Sequence, residues 1–111
     1  MNITTPTVIT TDIKENIIIT NSTLHLRGIS TGTIHLREKA TLELFGIHNG
    51  DITVDSDCLL NIRGMLKGNI FNQGQTQIMG IIDSKIIDGH SIKICKDSVI
   101  NGKRYLFDET L

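Results

Sequence analysis

The sequence predicts an all-β protein, a single-stranded β-helix (β-solenoid) of about five coils with 18-residue repeats. Three observations predict it. A pair of glycines recurs at a constant spacing, aliphatic and polar residues alternate around each pair, and the chain is rich in isoleucine and leucine but only 4% aromatic. A helical fold is excluded, because glycine pairs and β-branched residues recur too often for a helix to persist.

The glycine pairs define the repeat. The first glycine of a unit stands at Gly28, Gly46 and Gly64, which are equally spaced, and a second glycine follows each in the pattern G-x-x-x-G. A fourth unit begins at Gly80, after a spacing shortened by two positions, and has Ser84 in place of the second glycine. The loop "NQGQ" before that unit is the expected place of the shortening. We expect glycine at bends between strands where a Cβ would clash.

When the units are stacked in register, equivalent positions of successive coils hold similar residues. Apolar and polar residues alternate with a period of two, which is the pattern of a half-buried strand. Stacked coils, about 4.8 Å apart, would join the apolar columns into one continuous core. The predicted inward columns are Leu24, Leu42, Leu60, Thr76 and Ile92; Leu26, Leu44, Ile62, Ile78 and Ile94; and Ile34, Ile52, Ile70 and Ile86. The outward column between the first two is His25, Glu43, Asn61, Gln77 and Lys93.

Residues 1–111 are predicted to form one β-solenoid domain. The coils are expected over residues 16–102. Residues 1–15 are threonine-rich and contain Pro6, which suits an N-terminal edge or cap where strand pairing should stop. Residues 103–111 break the columns and add aromatic and charged side chains, which predicts a C-terminal cap or tail.

The repeat resembles that of bactofilins and related short right-handed β-solenoid proteins. The resemblance covers about residues 16–102 and rests on the glycine pairs, each followed by an isoleucine strand: Gly28/Gly32, Gly46/Gly50 and Gly64/Gly68. It implies a right-handed, non-catalytic solenoid that polymerises end to end through its terminal coils. This chain differs from that family in having few coils and a charged, aromatic C-terminal tail.

Charge and composition exclude several classes of partner. The net charge is −1 and no basic stripe is present, so no nucleic acid partner is expected. Charged residues such as Arg37 interrupt every apolar run of membrane-spanning length, and the first residues lack the features of a signal peptide. Cys58 and Cys95 are isolated in the sequence, which favours reduced thiols and a cytoplasmic protein.

No enzyme, cofactor or metal site is expected. The histidines are interpreted as surface residues rather than metal ligands, and the local cluster of aspartates as a solvated turn rather than a calcium site. Neither cysteine has a base at a diagnostic spacing. The six-residue apolar spacing of hexapeptide-repeat acyltransferases does not hold. The residues considered are His25, His35, His48, His90, Asp51, Asp55, Asp57, Cys58 and Cys95.

Two outward columns are candidate protein-binding faces. Stacked coils would align Arg27, Phe45, Arg63 and Met79, which directly precede the first glycines. On the other strand the outward column reads His35, Thr53, Phe71 and Ile87 and ends in two apolar residues. Arginine, methionine and aromatic residues are enriched at protein interfaces. Alternatively, loops or the tail residues Tyr105, Leu106 and Phe107 cover one of these faces.

Three functions remain at this point. We predict a non-catalytic protein-binding solenoid, an immunity-type inhibitor that binds and occludes a partner bacterial toxin domain encoded nearby. The alternative is a bactofilin-like scaffold that self-associates into filaments. A small acyltransferase-like or sugar-binding solenoid is the third. Immunity proteins use many folds, so the first prediction follows from elimination rather than from a motif.

Overall fold

Each coil of the chain consists of three short strands, and equivalent strands of successive coils pair in parallel. A computed structural model describes residues 1–85, 87–89 and 91–110, with the side chain of Asp88 left out. The strands form three sheets, A, B and C, which are the three sides of a solenoid that encloses a single core. An all-β solenoid with repeats of about 18 residues is therefore confirmed.

The strands are two to four residues long. Sheet A contains β1 (Asn2–Ile3), β4 (Ile17–Thr20), β7 (Ile34–Arg37), β10 (Ile52–Val54), β13 (Ile70–Asn72) and β16 (Ile87–Gly89). Sheet B contains β2 (Thr7–Ile9), β5 (Thr23–Leu26), β8 (Thr41–Leu44), β11 (Leu59–Ile62), β14 (Gln75–Ile78), β17 (Ile92–Ile94) and β20 (Glu109–Thr110). Sheet C contains β3 (Ile13–Lys14), β6 (Ile29–Thr31), β9 (Ile47–Asn49), β12 (Met65–Lys67), β15 (Ile81–Asp83), β18 (Val99–Ile100) and β19 (Lys103–Arg104).

The core is built from stacked aliphatic columns. On sheet B both predicted inward columns are confirmed, because Leu24 pairs with Leu42 and Leu26 with Leu44, and the register continues to Ile92. These side chains are fully buried. Each coil adds the same positions to the core, so the repeat that organises the sequence also sets its packing.

In the middle coils, the corner between sheets B and C has room only for glycine. A Cβ on Gly64 would overlap the backbone carbonyl oxygens of Gly46 and Phe45, and a Cβ on Gly46 would overlap that of Gly28. At the corner between sheets C and A, Gly50 has a φ of 141°, which side chains rarely adopt, and its Cβ would also overlap Gly32. The glycine pairs are therefore packing residues at two corners of the solenoid.

The third inward column differs from the prediction at its last member. Ile87, not Ile86, pairs with Ile70, and Ile87 packs against the core; Ile86 lies outside the described residues. Ile82 and Ile87 are five positions apart, whereas the equivalent Leu66 and Ile70 are four apart. Since side chains alternate along a strand, this one added corner residue moves Ile87 from the outer to the inner face.

The two ends of the solenoid are built differently. Residues 1–15, predicted as an edge or cap, contain β1, β2 and β3, which stack in parallel on the following coil. At the other end β19 pairs with β18 and β20 with β17, both antiparallel. Tyr105, between β19 and β20, packs against the core. Residues 103–110 thus cover the last coil along sheets B and C.

Candidate protein-binding site

The ridge, defined as Arg27, Phe45, Arg63 and Met79, runs along the corner between sheets B and C. Each of its members directly follows a sheet B strand, and its amide donates to the coil before it. The amide of Phe45 donates to the carbonyl of Leu26 at 2.9 Å, and that of Met79 to Ile62 at 2.7 Å. This backbone ladder holds the ridge residues in line, as the sequence repeat predicted.

The ridge side chains contact one another across coils. The Arg27 guanidinium lies over the Phe45 ring, 4.4 Å from its centroid, and the Arg63 guanidinium is 5.8 Å from the same centroid on the other side. Such cation–π contacts contribute about 0.5–1 kcal/mol at exposed sites. Phe45 is thus held between two arginines and is only half-buried.

The two arginines differ in their carboxylate partners. The Arg63 Nε lies 3.6 Å from Glu43 Oε2, and Glu43 Oε1 also accepts a hydrogen bond of 2.7 Å from Asn61 Nδ2. Within the part of the chain that the structure describes, no carboxylate lies within ion-pair distance of Arg27. Among the described residues, Arg27 is therefore the ridge arginine without a carboxylate partner.

A second apolar line, which the sequence interpretation missed, runs parallel to the ridge on the outer face of sheet C. We call it the outer column: Ile29, Ile47, Met65, Ile81 and Val99, which pair in register from coil to coil. Ile29 is 45% and Ile81 43% exposed, which is high for isoleucine. The signal was present in the sequence, because an aliphatic residue directly follows the first glycine of every unit.

A groove separates the ridge from the outer column. Its floor is the glycine ladder Gly46, Gly64 and Gly80, and the depression has a volume of about 450 Å³. Phe45, Arg63 and Met79 form one wall, and Ile47, Met65 and Ile81 form the other. The groove is mainly apolar, and Asp97 lies at one end of it.

No protein-family model, curated protein or solved structure matches the chain. The function is therefore inferred from the geometry of the protein's own surface. On that surface the groove is an apolar strip, and its ridge wall alternates arginine with Phe45 and Met79. Exposed apolar strips of this kind mark interaction sites in many proteins.

The other predicted binding face is not continuous. Phe71 is half-buried on the outside of sheet A and pairs in register with Thr53 and Asp88. Ile87 belongs to the inward column, so the predicted apolar end made by Phe71 and Ile87 was wrong. Phe71 is left as a single aromatic residue between polar neighbours.

The C-terminal tail leaves the groove open. Leu106 is 62% and Phe107 76% exposed, and Ile81 in the groove wall also remains exposed. Because β19 pairs with sheet C and β20 with sheet B, the residues between them cross the corner on which the ridge runs. The tail therefore adds exposed apolar residues at the C-terminal end of the solenoid and leaves the groove uncovered.

Two of the histidine interpretations require correction, and His90 lies outside the described residues. His48 is not a surface residue: it points into the core and is 1% exposed. Its Nδ1 lies 2.6 Å from the Oγ of Ser30, its neighbour in the previous coil. His35 is on the surface, but it does have a carboxylate partner, since its Nε2 lies 2.8 Å from Asp55 Oδ1.

The aspartates of the predicted turn are separated by strand β10. Asp51, before β10, accepts a hydrogen bond of 2.9 Å from the Asn69 amide, while Asp55, after it, pairs with His35. Among the described residues no group of three or more His, Cys, Asp or Glu is arranged to hold a metal ion. The same residues include no helix long and apolar enough to cross a membrane.

The cysteines are free thiols in different surroundings. Cys58 is buried, and burial is the main cause that raises the pKa of its thiol. Cys95 is half-buried, and its amide donates to the Ile78 carbonyl at 2.8 Å, which places it next after Met79 along the ridge corner. Each therefore serves as a small packing residue in its column.

Proposed function

We propose that the protein is a non-catalytic, cytoplasmic protein-binding solenoid of the immunity type, which binds and occludes a partner bacterial toxin domain encoded nearby. One observation carries the proposal: the groove between the ridge and the outer column is apolar, exposed and lined by the residue types that dominate protein interfaces. Phe45 and its flanking arginines would be the centre of that interface.

The solenoid supports tight binding because the groove is rigid. The wall residues of the outer column belong to strands β9, β12 and β15, each paired with a strand on both sides. Phe45 is already held by Arg27. Binding therefore orders few side chains, which lowers the side-chain part of the entropic cost of association.

The alternative, a bactofilin-like filament, requires coils that stack end to end. The parallel solenoid itself suits such stacking. The antiparallel strands β19 and β20, however, occupy the edges of sheets B and C in the last coil. A second copy would have to displace them before it could continue the parallel pairing. We therefore favour the occluding binder.

Isothermal titration calorimetry against the product of the adjacent gene tests the proposal. Tight one-to-one binding is expected, and Phe45→Ala and Arg63→Ala should each weaken it by about 10-fold or more, the effect of losing a hot-spot residue. Phe71→Ala is the matched control, because it removes a half-buried aromatic residue from sheet A. It should leave the affinity unchanged. Filaments in negative-stain images, with no binding to the neighbouring product, would show that the scaffold function is correct.

A further inference from the structure

The groove has an axial period that selects the shape of its occupant. Its outer column places one aliphatic side chain per coil, so neighbours are about 4.8 Å apart along the solenoid axis. The turns of an α-helix repeat at intervals of about 5.4 Å. Side chains on one face of an extended strand repeat only every ~6.8 Å, which loses register after a single coil. A helix laid along the axis keeps its register over several coils.

A bound strand has a second disadvantage at this face. The strands that carry the groove pair on both sides within sheet C, from β6 to β15. Their backbone groups are therefore already used and cannot accept an added strand. A ligand can therefore contact only the side chains and the glycine floor of the groove. Grooves that bind amphipathic helices make contacts of this kind, through side chains and not through backbone pairing.

The positive charges of the ridge favour an occupant that carries acidic residues. Its two charged members are Arg27 and Arg63, two coils or roughly 10 Å apart. Residues i and i+7 of a helix are separated by about 10.5 Å. The nearby Glu43 is held by Arg63 and Asn61, and Asp97 by Arg104 at 2.7 Å, so these carboxylates do not balance Arg27. Acidic residues on the occupant would be complementary.

We propose that the groove docks an amphipathic α-helix of the partner protein. The apolar stripe of that helix fills the groove between Phe45 and Met65, parallel to the solenoid axis, and acidic residues about seven positions apart on one flank pair with Arg27 and Arg63. This inference rests on the proposed function, in that it specifies which element of the partner is recognised.

The test uses the full chain and three synthetic helical peptides, each five helical turns long. The first carries leucines at i, i+3, i+4 and i+7 with glutamates on one flank. The second has the same composition with the stripe scrambled, and the third has lysines in place of the glutamates. Binding is followed by isothermal titration calorimetry and by shifts of ¹⁵N–¹H amide signals. The striped acidic peptide should bind about 10-fold or more tightly than the scrambled one and shift the amides of β9, β12 and β15.

Charge reversal gives the sharpest comparison. Arg27→Glu should weaken the acidic peptide by about fivefold and strengthen the basic one, because it reverses a charge that has no carboxylate partner in the described structure. Met65→Glu should abolish binding of the striped peptide. Thr53→Glu on sheet A is the matched control for an added carboxylate and should change neither affinity. Circular dichroism and thermal melts establish that each variant is folded.

Two results would overturn the inference. One is equal binding of all three peptides, or shifts confined to sheet A. The other is movement of the β9 and β12 amides with protein concentration alone, which would make a second copy the occupant. Titrating Met65→Glu with the adjacent gene product separates this inference from the function. If Met65→Glu binds the adjacent gene product with unchanged affinity, the groove is not the binding site, but the proposed function still stands. If the native chain does not bind that product, the proposed function is wrong.

Discussion

At the scale of single residues, the buried pair Ser30 and His48 is the feature that departs most from an aliphatic core. Both side chains lie in the inward column of sheet C, which continues as Leu66 and Ile82. Nδ1 contacts the Ser30 hydroxyl, while Nε2 is buried and has no hydrogen-bond partner among the residues that the structure describes. Burial lowers the pKa of His48 to about 4 from 6.5, against smaller opposing effects of the Gly32 backbone and Asp51.

This pair makes the stability of the protein depend on pH. The unfolded chain binds a proton at His48 below pH 6.5, whereas the folded protein does so only below about pH 4. The free energy of unfolding should therefore fall as the pH decreases from 6.5 to 4, by roughly 3 kcal/mol in all from this group. Urea unfolding at half-unit pH intervals measures the slope.

The double variant Ser30→Ala/His48→Leu should remove that contribution. Leucine at position 48 would continue the column of Leu66, and alanine at position 30 leaves no unpaired hydroxyl. The variant should lose less stability than the native chain between pH 6.5 and 4. If the double variant keeps the native slope, His48 does not cause it.

Two residues, His48 and Ile87, lie on the opposite face from the one that the sequence predicts, and each difference has a physical cause. The polar character of histidine predicts a surface position for His48, but His48 stands one full repeat before Leu66 and therefore in an inward column. A constant two-residue shortening of the fourth unit predicts an outward Ile87, whereas the structure has Ile87 in register with the inward Ile70. A one-residue change at a corner reverses the face of a strand, and nothing local in the sequence marks it.

At the scale of elements, the corners were the most predictable part of the fold. The glycine pairs of the repeat lie at two corners where a Cβ would overlap the backbone of the preceding coil, and the columns they delimit on sheet B pair as expected. The outer column is hard to predict because its residues vary in type from unit to unit, from isoleucine to methionine. Aligned by their position after Gly28, Gly46 and Gly64, they form an apolar line.

The corner glycines allow a test that separates steric overlap from backbone strain. Gly64→Ala places a Cβ against backbone carbonyls of the preceding coil, which cannot move without separating the strands. We expect destabilisation by more than about 3 kcal/mol, or failure to fold, because overpacking against rigid backbone is costly. The midpoint of urea unfolding measures the loss.

Gly102→Ala is the matched comparison. Gly102 has a φ of 82° but open space around its Cβ position, so alanine there meets strain without overlap. The expected cost is about 1–2 kcal/mol, that of placing a non-glycine residue in the left-handed region. A Gly64→Ala protein no less stable than Gly102→Ala would show that the corner tolerates a side chain and that the ladder is not a packing constraint.

At the scale of the whole molecule, the two ends determine whether strands of another chain can pair with the solenoid. Parallel solenoids present strand edges at their ends, and such edges pair with other chains unless they are covered. Here β19 and β20 turn back antiparallel on β18 and β17, and Tyr105 packs on the core between them. At the other end β1, β2 and β3 are only two or three residues long, which limits pairing.

Removal of residues 103–111 should therefore convert a monomer into an associating species. The full chain should elute as a monomer at all concentrations in size-exclusion chromatography with light scattering, because its last coil is covered. The truncated chain exposes the edges of β17 and β18 together with the core beneath Tyr105, and should form larger species as its concentration rises.

Tyr105→Ala in the full chain, which keeps the two strands but loses the core contact, should be less stable yet remain monomeric. A full chain that already assembles to the same extent as the truncated one would favour the scaffold function over the occluding binder, because the cap would then not limit growth.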